Sequence, residues 1–335
     1  MYASPDPDLL DNLGNLGLIS SMDNATFEAL NGGVSSDIWH VKSDGRSFCV
    51  KRALAKLKVK ADWFAPIERN LFEVAWLQVA NEIVPGAAPK VLAHDKATMV
   101  CAMAYLEPAT HSNWKSDLMA GRIDRNVASQ VGARLGQIHS GTAGRDEIQP
   151  GLPDIEIFHA IRLEPYLEAL ATPHPDLKEQ LFRLSERTRT IHLVMIHGDV
   201  SPKNILVGPS GPVFIDAECA CIGDPAFDLA FCLNHFLLKC LWRPDMTNDY
   251  LDCFADMYAS YMEMVTWEST DDIEARAASL LPGLFLARVD GKSPVEYIDS
   301  DRDRQKVRRC ARQLLKYPPE QLSQVADAWR VELAQ

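Results

Sequence analysis

Apolar and polar positions alternate in strand-sized pieces through the first hundred residues, then change to a helical period. Thr26 to Leu30, Asp37 to Lys42 and Ser47 to Arg52 alternate or run apolar, and Ser43-Asp44-Gly45-Arg46 is a hairpin turn signal between the last two. Ile67, Leu71, Val74, Ala75, Trp76 and Leu77 repeat as the apolar face of a helix. Val91 to His94 and Met99 to Met103 read as two more strands around a turn at Asp95-Lys96. Further on, Asn126 to Ser140 carries Val127, Val131, Leu135 and Ile138 on one stripe, and Pro175 to Thr190 forms another amphipathic piece. Candidate helices follow near 226–241, 248–264, 272–287, 301–315 and 319–333. Leu9, Leu10, Leu13, Leu16 and Leu18 predict a short extra helix that caps the first sheet or makes a dimer contact. No internal repeat, low-complexity tract or long linker interrupts the chain.

Between the helical pieces the period returns to strands. Ile191 to Ile196 and Asn204 to Val207 bound a loop, and Gly208-Pro209-Ser210-Gly211 turns into Pro212 to Ile215. His197-Gly198-Asp199, Asn204 and Asp216 therefore sit at strand ends. Phosphoryl transfer needs a carboxylate to accept the attacking hydroxyl's proton and ligands that hold Mg²⁺ against the moving phosphate. An Asp, an Asn shortly after it and a second Asp at the next strand end meet that need in kinase catalytic loops. Asp199 is the candidate base, and Asn204 and Asp216 the candidate metal ligands. Lys51, ending Phe48-Cys49-Val50-Lys51, stands where a lysine pairs with ATP phosphates, and a Glu on the next helix would hold it. Glu73 is the candidate, with Glu68 as competitor.

With these motifs the chain resembles the aminoglycoside phosphotransferase-like small-molecule kinases, which include methylthioribose and choline kinases. His197-Gly198-Asp199 replaces the protein-kinase His-Arg-Asp, and the run from Ile215-Asp216 to Asp228-Leu229-Ala230 resembles that family's metal-binding segment entering a helix. The resemblance implies a bilobal, protein-kinase-like α+β fold: residues 1–105 an ATP-binding lobe with a small antiparallel sheet and one helix, residues 106–335 a mainly helical catalytic and substrate-binding lobe. It favours Glu73 through Ala75-Trp76-Leu77, and implies that Glu218 is a further metal ligand, that His197 orients the loop and that Asp228 braces it. The turn Asn31 to Ser36 would cover the phosphates through Gly33 and Ser35, and adenine would meet the backbone near Met103 to Tyr105. Leu286 to Tyr297 resembles a segment of the methylthioribose-kinase-like branch, so Arg288 and Lys292, with His235 from the preceding helix, are candidate substrate contacts.

Composition narrows the partners. The 335 residues are 47% hydrophobic and 24% charged, as in ordinary globular proteins. The net charge of −12 argues against a nucleic-acid partner and favours a cationic acceptor such as an amino alcohol. No window has the length of uninterrupted apolar sequence that a membrane span needs, and the first residues lack the basic start and apolar core of a signal peptide. A cytoplasmic monomer or homodimer is the expectation. Eight scattered cysteines in such a chain are expected to be reduced.

The reading is an ATP- and Mg²⁺-dependent phosphotransferase acting on a small-molecule hydroxyl. A pseudokinase that binds nucleotide for regulation is the alternative, and retention of Lys51, Asp199, Asn204 and Asp216 together weighs against it. A protein kinase is a weaker alternative, because no activation segment fits between Asp216 and Asp224.

Overall fold

The protein is described here from a computed structural model covering residues 5–20, 24–30, 36–56, 66–145, 147 and 155–335. Chain order begins with helix α1 (Pro7–Asn15), strands β1 (Ala25–Ala29), β2 (Ser36–Ser43) and β3 (Arg46–Ala53), helix α2 (Arg69–Ile83), then β4 (Val91–Asp95) and β5 (Val100–Ala104). These strands form one antiparallel sheet in the order β1-β2-β3-β5-β4. The β2–β3 hairpin pairs Ser43 with Arg46, and Asp44 and Gly45 between them take φ of 51° and 73°. Two consecutive positive φ values match the twist of the flanking strands, which explains the Asp-Gly signal.

Strand alternation gives this sheet two different faces. Trp39, Val41, Phe48, Val50, Val100 and Ala102 pack on Leu9, Leu13, Leu18 and Ile19 of the N-terminal segment. Asp6 starts α1 by accepting from the Leu9 amide at 2.9 Å, and Asn12 of α1 donates to Asp95 and Thr98 at the far edge of the sheet. The leucine-rich segment thus caps the sheet, and its apolar side is spent there. The opposite face carries Cys49, Lys51, Cys101 and Met103, so the period of two is what turns Lys51 inward.

The remaining elements are β6 (Ser112–Asn113), α3 (Trp114–Met119), α4 (Arg125–Thr142), α5 (Ile155–Phe158) running through a π-helical turn (His159–Leu163) into α6 (Glu164–Tyr166), and α7 (Lys178–Thr190). Strands β7 (Val194–Ile196), β8 (Ile205–Gly208), β9 (Gly211–Phe214) and β10 (Cys221–Gly223) follow, then α8 (Pro225–Trp242), α9 (Thr247–Met262), α10 (Thr270–Asp290), α11 (Asp301–Lys316) and α12 (Leu322–Leu333). Two small sheets, β6-β8-β9 and β10-β7, hold the ends of the loops at 197–204 and 215–220. The strand read at 191–196 is shorter than its apolar run, because α7 continues to Thr190 and only Val194–Ile196 pairs with β10.

One hydrophobic core runs from Phe72, Trp76 and Leu77 of α2 through the loops and helices to Trp329 of α12. Helix α8 lies inside it, with nearly every residue buried, and packs against α9 and α10. Helices α4 and α9 approach closely: a Cβ on Gly132 would lie 2.1 Å from the Met257 carbonyl oxygen. Among the described residues no helix is long and apolar enough to cross a membrane. Seven of the eight cysteines are buried in apolar packing and none is paired.

Candidate active site

The loop after β7 carries His197-Gly198-Asp199, and its shape is fixed from below by α8. Asp224 caps that helix by accepting from the Ala226 amide at 3.0 Å, which sets Asp228 in the first turn. Fully buried Asp228 accepts the His197 amide on Oδ2 at 2.6 Å and the Gly198 amide on Oδ1 at 2.8 Å. His139 of α4 lies 3.3 Å from the same Oδ2, and Tyr261 of α9 lies 2.8 Å from its other ring nitrogen. Gly198 is required here, since it has φ of 75° and an added Cβ would sit 2.5 Å from the Cys219 carbonyl oxygen.

His197 is held on both ring nitrogens. Nδ1 accepts the Asp199 amide at 3.2 Å, so Nε2 carries the hydrogen and donates to the Ile215 carbonyl at 3.1 Å. Burial pushes its pKa down, and it is neutral. A neutral imidazole that ties the 197–199 loop to the 215–216 segment is an orienting group.

Asp199 is buried, and all its side-chain partners converge on Oδ2: Arg162 Nη2 at 2.8 Å, Asn204 Nδ2 at 2.8 Å and Lys203 Nζ at 3.3 Å. Oδ1 makes no hydrogen bond among the described residues. Burial alone would raise this carboxyl, but Arg162 and Lys203 outweigh it and hold Asp199 below the usual carboxylate range. It is an ionised acceptor with one oxygen clamped and one open.

Lys51, on the inner face of β3, donates to Glu73 of α2 at 2.9 Å and also to Asp216 Oδ1. Glu68 is exposed at the start of α2, so Glu73 is the helix partner. Burial opposes the charge on Lys51, yet the Asp216 and Glu73 carboxylates carry its pKa well above the ordinary value. Asp216 is ionised despite its burial because Lys51 and Lys203 stabilise the carboxylate. Its φ of 67° is left-handed, a conformation that costs a non-glycine residue energy and swings the carboxylate toward Lys51.

These groups border a cavity of about 510 Å³ lined in part by Lys51, Glu73, Met103, Tyr105, Asn204 and Asp216, large enough for a nucleotide. Met103 and Tyr105 are thus together with Lys51, and the Tyr105 ring stacks on His40 at 3.6 Å between centroids. The Ala104 amide is already committed to the Lys90 carbonyl at 2.8 Å. Gly33 and Ser35 lie outside the described residues.

Asn204 and Asp216 offer hard oxygen donors to the same cavity. Among the described residues no cluster of three or more His, Cys, Asp or Glu could hold an ion alone. Mg²⁺ fits such a pair, because it takes one or two protein ligands and leaves its other positions to water and phosphate oxygens. Glu218 does not line the cavity; its Oε2 is 3.1 Å from Nε of the buried Arg69.

The substrate candidates separate. Lys292 is exposed, pairs with Glu164 at 2.6 Å and lines neither cavity. Arg288 and His235 line a second, smaller cavity that shares Lys115 and Lys203 with the first. Arg288 donates to the Tyr166 hydroxyl at 3.0 Å and to Ser293. Sequence reasoning missed Arg162, Arg69 and Lys203. Lys203 had a signal, as the one cation within the interval from Asp199 to Asn204; the two arginines had none.

A small antiparallel sheet facing a helical lobe, with Lys51, Asp199, Asn204 and Asp216 converging at the cleft, defines a bilobal kinase-like fold. The chain belongs to the phosphotransferase enzyme family, whose model matches residues 26–264. Methylthioribose kinase 1 of Oryza sativa subsp. japonica is 23% identical over 265 residues, which cover 71% of this chain and 60% of that protein. The chain therefore spans about 60% of the length of the curated relatives it matches. Among solved structures, an amicoumacin kinase in complex with AMP-PNP and Ca²⁺ superposes with a TM-score of 0.56 at 13% identity, over 95% of this chain and 96% of that one. A choline/ethanolamine kinase family protein from Mesorhizobium loti gives 0.52 at 15% identity, over 96% and 99%.

Proposed function

We propose that the protein transfers the γ-phosphoryl group of ATP to a hydroxyl of a small molecule, with Asp199 as the base. The observation that carries this reading is the division of labour on Asp199: Arg162, Lys203 and Asn204 fix Oδ2, while Oδ1 has no hydrogen-bond partner among the described residues. A clamped, ionised carboxylate suits a reaction in which the protein mainly positions the nucleophile. The acceptor oxygen bonds to the γ-phosphorus as the bond from that phosphorus to the β-bridging oxygen breaks. ADP leaves with the electron pair, and the hydroxyl proton passes to Asp199 Oδ1.

Lys51, held by Glu73, neutralises ATP phosphates in this reading. Asn204 and Asp216 hold Mg²⁺, which when bound screens the phosphate oxygens and stabilises the charge that develops on them. Residues 1–105 form the nucleotide lobe and 106–335 the catalytic and acceptor lobe. The relatives named as methylthioribose and choline/ethanolamine kinases support a small hydroxylated acceptor.

The test is turnover with Mg²⁺-ATP and a panel of sugars, amino alcohols, aminoglycosides and hydroxy acids, run on wild type and Asp199→Asn. The expected result is a phosphorylated product that the variant fails to make while still binding ATP and melting as wild type does. Undiminished turnover in the variant overturns the assignment of the base.

A further inference from the structure

Lys203, whose ammonium is 3.3 Å from Asp199 Oδ2, also borders a pocket of about 50 Å³, lined with it by Lys115, His235, Lys239, Arg288 and Glu296 among others. That is room for a few water molecules or one carboxylate or phosphate group. Two of its cations are already neutralised: Lys115 pairs with Glu296, and Lys203 with Asp199. Lys239 is not. It sits near the end of the buried helix α8, 1% exposed, and makes no hydrogen bond or ion pair among the described residues; its ammonium faces the Tyr297 ring at 5.5 Å. His235, one turn earlier on α8, is also buried without a hydrogen-bond partner among the described residues. The Tyr297 hydroxyl and Arg288 Nε are buried and unpartnered as well.

A buried ammonium without a counter-charge is costly, and donors left unpaired around one small space add to that cost. Burial and the charge of Lys115 hold Lys239 down at about 7, a shift that a bound anion would reverse. The chain as a whole carries −12, but the field at this spot has the opposite sign.

We propose that the phosphate acceptor is itself an anion whose carboxylate or phosphate group is seated between Lys239, His235 and Arg288, with its hydroxyl turned to Asp199. The inference rests on the phosphotransferase reading and narrows its acceptor class to hydroxy acids and phosphorylated polyols. The transfer step is the one written above, and the seated oxyanion takes no part in bond making.

The experiment compares acceptors on one skeleton: glycerate, glycerol 3-phosphate, glycerol and 3-aminopropane-1,2-diol, with ribose 5-phosphate and ribose as a larger pair. Expected is a kcat/KM for an anionic member at least about tenfold above its neutral partner, and a KM for it raised about tenfold or more in Lys239→Met, the scale of one charged hydrogen bond. The carboxylate and phosphate arms tell the two oxyanions apart. Lys239→Met replaces an unpaired buried charge with an apolar chain of similar length, so it is expected to melt no lower than wild type. Preference for neutral or cationic members overturns the inference and leaves the phosphotransferase reading standing. If no member is phosphorylated, calorimetric titration of inorganic phosphate into protein preloaded with AMP-PNP decides: binding lost in Lys239→Met supports the anion seat, and no binding, or binding indifferent to the substitution, overturns it. Failure to bind ATP at all would instead remove the phosphotransferase reading.

Discussion

Arg162 Nη2 lies 2.8 Å from Asp199 Oδ2, and Nε of the same guanidinium donates to the Gly198 carbonyl at 2.7 Å. One side chain therefore fixes both the carboxylate and the backbone that presents it. It projects from the π-helical turn between α5 and α6, a local widening of the helix often found where a side chain must be re-aimed. Arg162→Gln is expected to lower kcat about a hundredfold through loss of position, with the KM for ATP little changed. Arg162 also helps hold the Asp199 pKa down, so its removal lets that pKa rise. Less carboxylate is then ionised at a given acid pH, and the acidic limb of the kcat/KM profile moves to higher pH. A limb that stays in place would show that Arg162 has no electrostatic hold on Asp199.

Lys51 and Glu73 are only 4% and 2% exposed. Breaking a buried pair from one side costs roughly 3–5 kcal/mol, because the remaining charge is stranded. Lys51→Met should lower Tm markedly, and Lys51→Met with Glu73→Leu should recover the part of the loss that comes from Glu73, while the part from Asp216, which also loses Lys51, persists and the protein remains inactive. Additive losses in that cycle would mean that the two side chains are not coupled.

Asp228 accepts two loop amides and faces His139. Asp228→Ala leaves the His197 and Gly198 N–H groups buried without acceptors, at about 1–3 kcal/mol each. Hydrogen exchange at those two amides should accelerate, and turnover should fall with them. Protection equal to wild type would mean that another group braces the loop.

Gly132 and Gly14 make a matched pair of helix glycines. A methyl group on Gly132 would run into the Met257 carbonyl, while a methyl group on Gly14 would meet nothing within 4 Å. Gly132→Ala is expected to destabilise by roughly 1–3 kcal/mol as α4 and α9 are forced apart. Gly14→Ala should be neutral or stabilise by up to about 1 kcal/mol. Calorimetric melting of the two variants checks the contrast.

Much of this site was legible because its chemistry is local in sequence. Strand alternation aims Lys51 inward, and the loop from His197 to Asp216 carries its residues between short strands. Glu73 is preferred over Glu68 only through the family resemblance around Ala75-Trp76-Leu77, and the fold shows why: Glu68 is exposed at the start of α2 while Glu73 is buried against Lys51. The supports were hidden for a physical reason: Arg162 and Arg69 act on Asp199 and Glu218, which only tertiary packing brings near, and a solitary cation on a helix is usually solvated. Lys292 and Arg288 are both candidates for substrate contact on sequence; only the fold shows that Arg288 lines a cavity with Lys203 while Lys292 pairs at the surface with Glu164. Helix α3 and the turns from 155 to 171 were too short for their periods to show. The overall charge of −12 is a sum over the surface and does not report the cations Lys115, Lys203, Lys239 and Arg288 that line one small pocket.

The packing of α2 has a mechanical consequence. Trp76 meets His197 edge-on at 4.7 Å and Phe214 at 5.9 Å, so the helix that carries Glu73 shares its foundations with the catalytic loop. Swinging α2 outward to part Glu73 from Lys51 would pull a fully buried tryptophan from its seat, at a cost on the order of 3 kcal/mol or more. Any displacement of Glu73 by a movement of α2 would carry that cost, because Trp76 ties the position of the helix to that of the His197 loop.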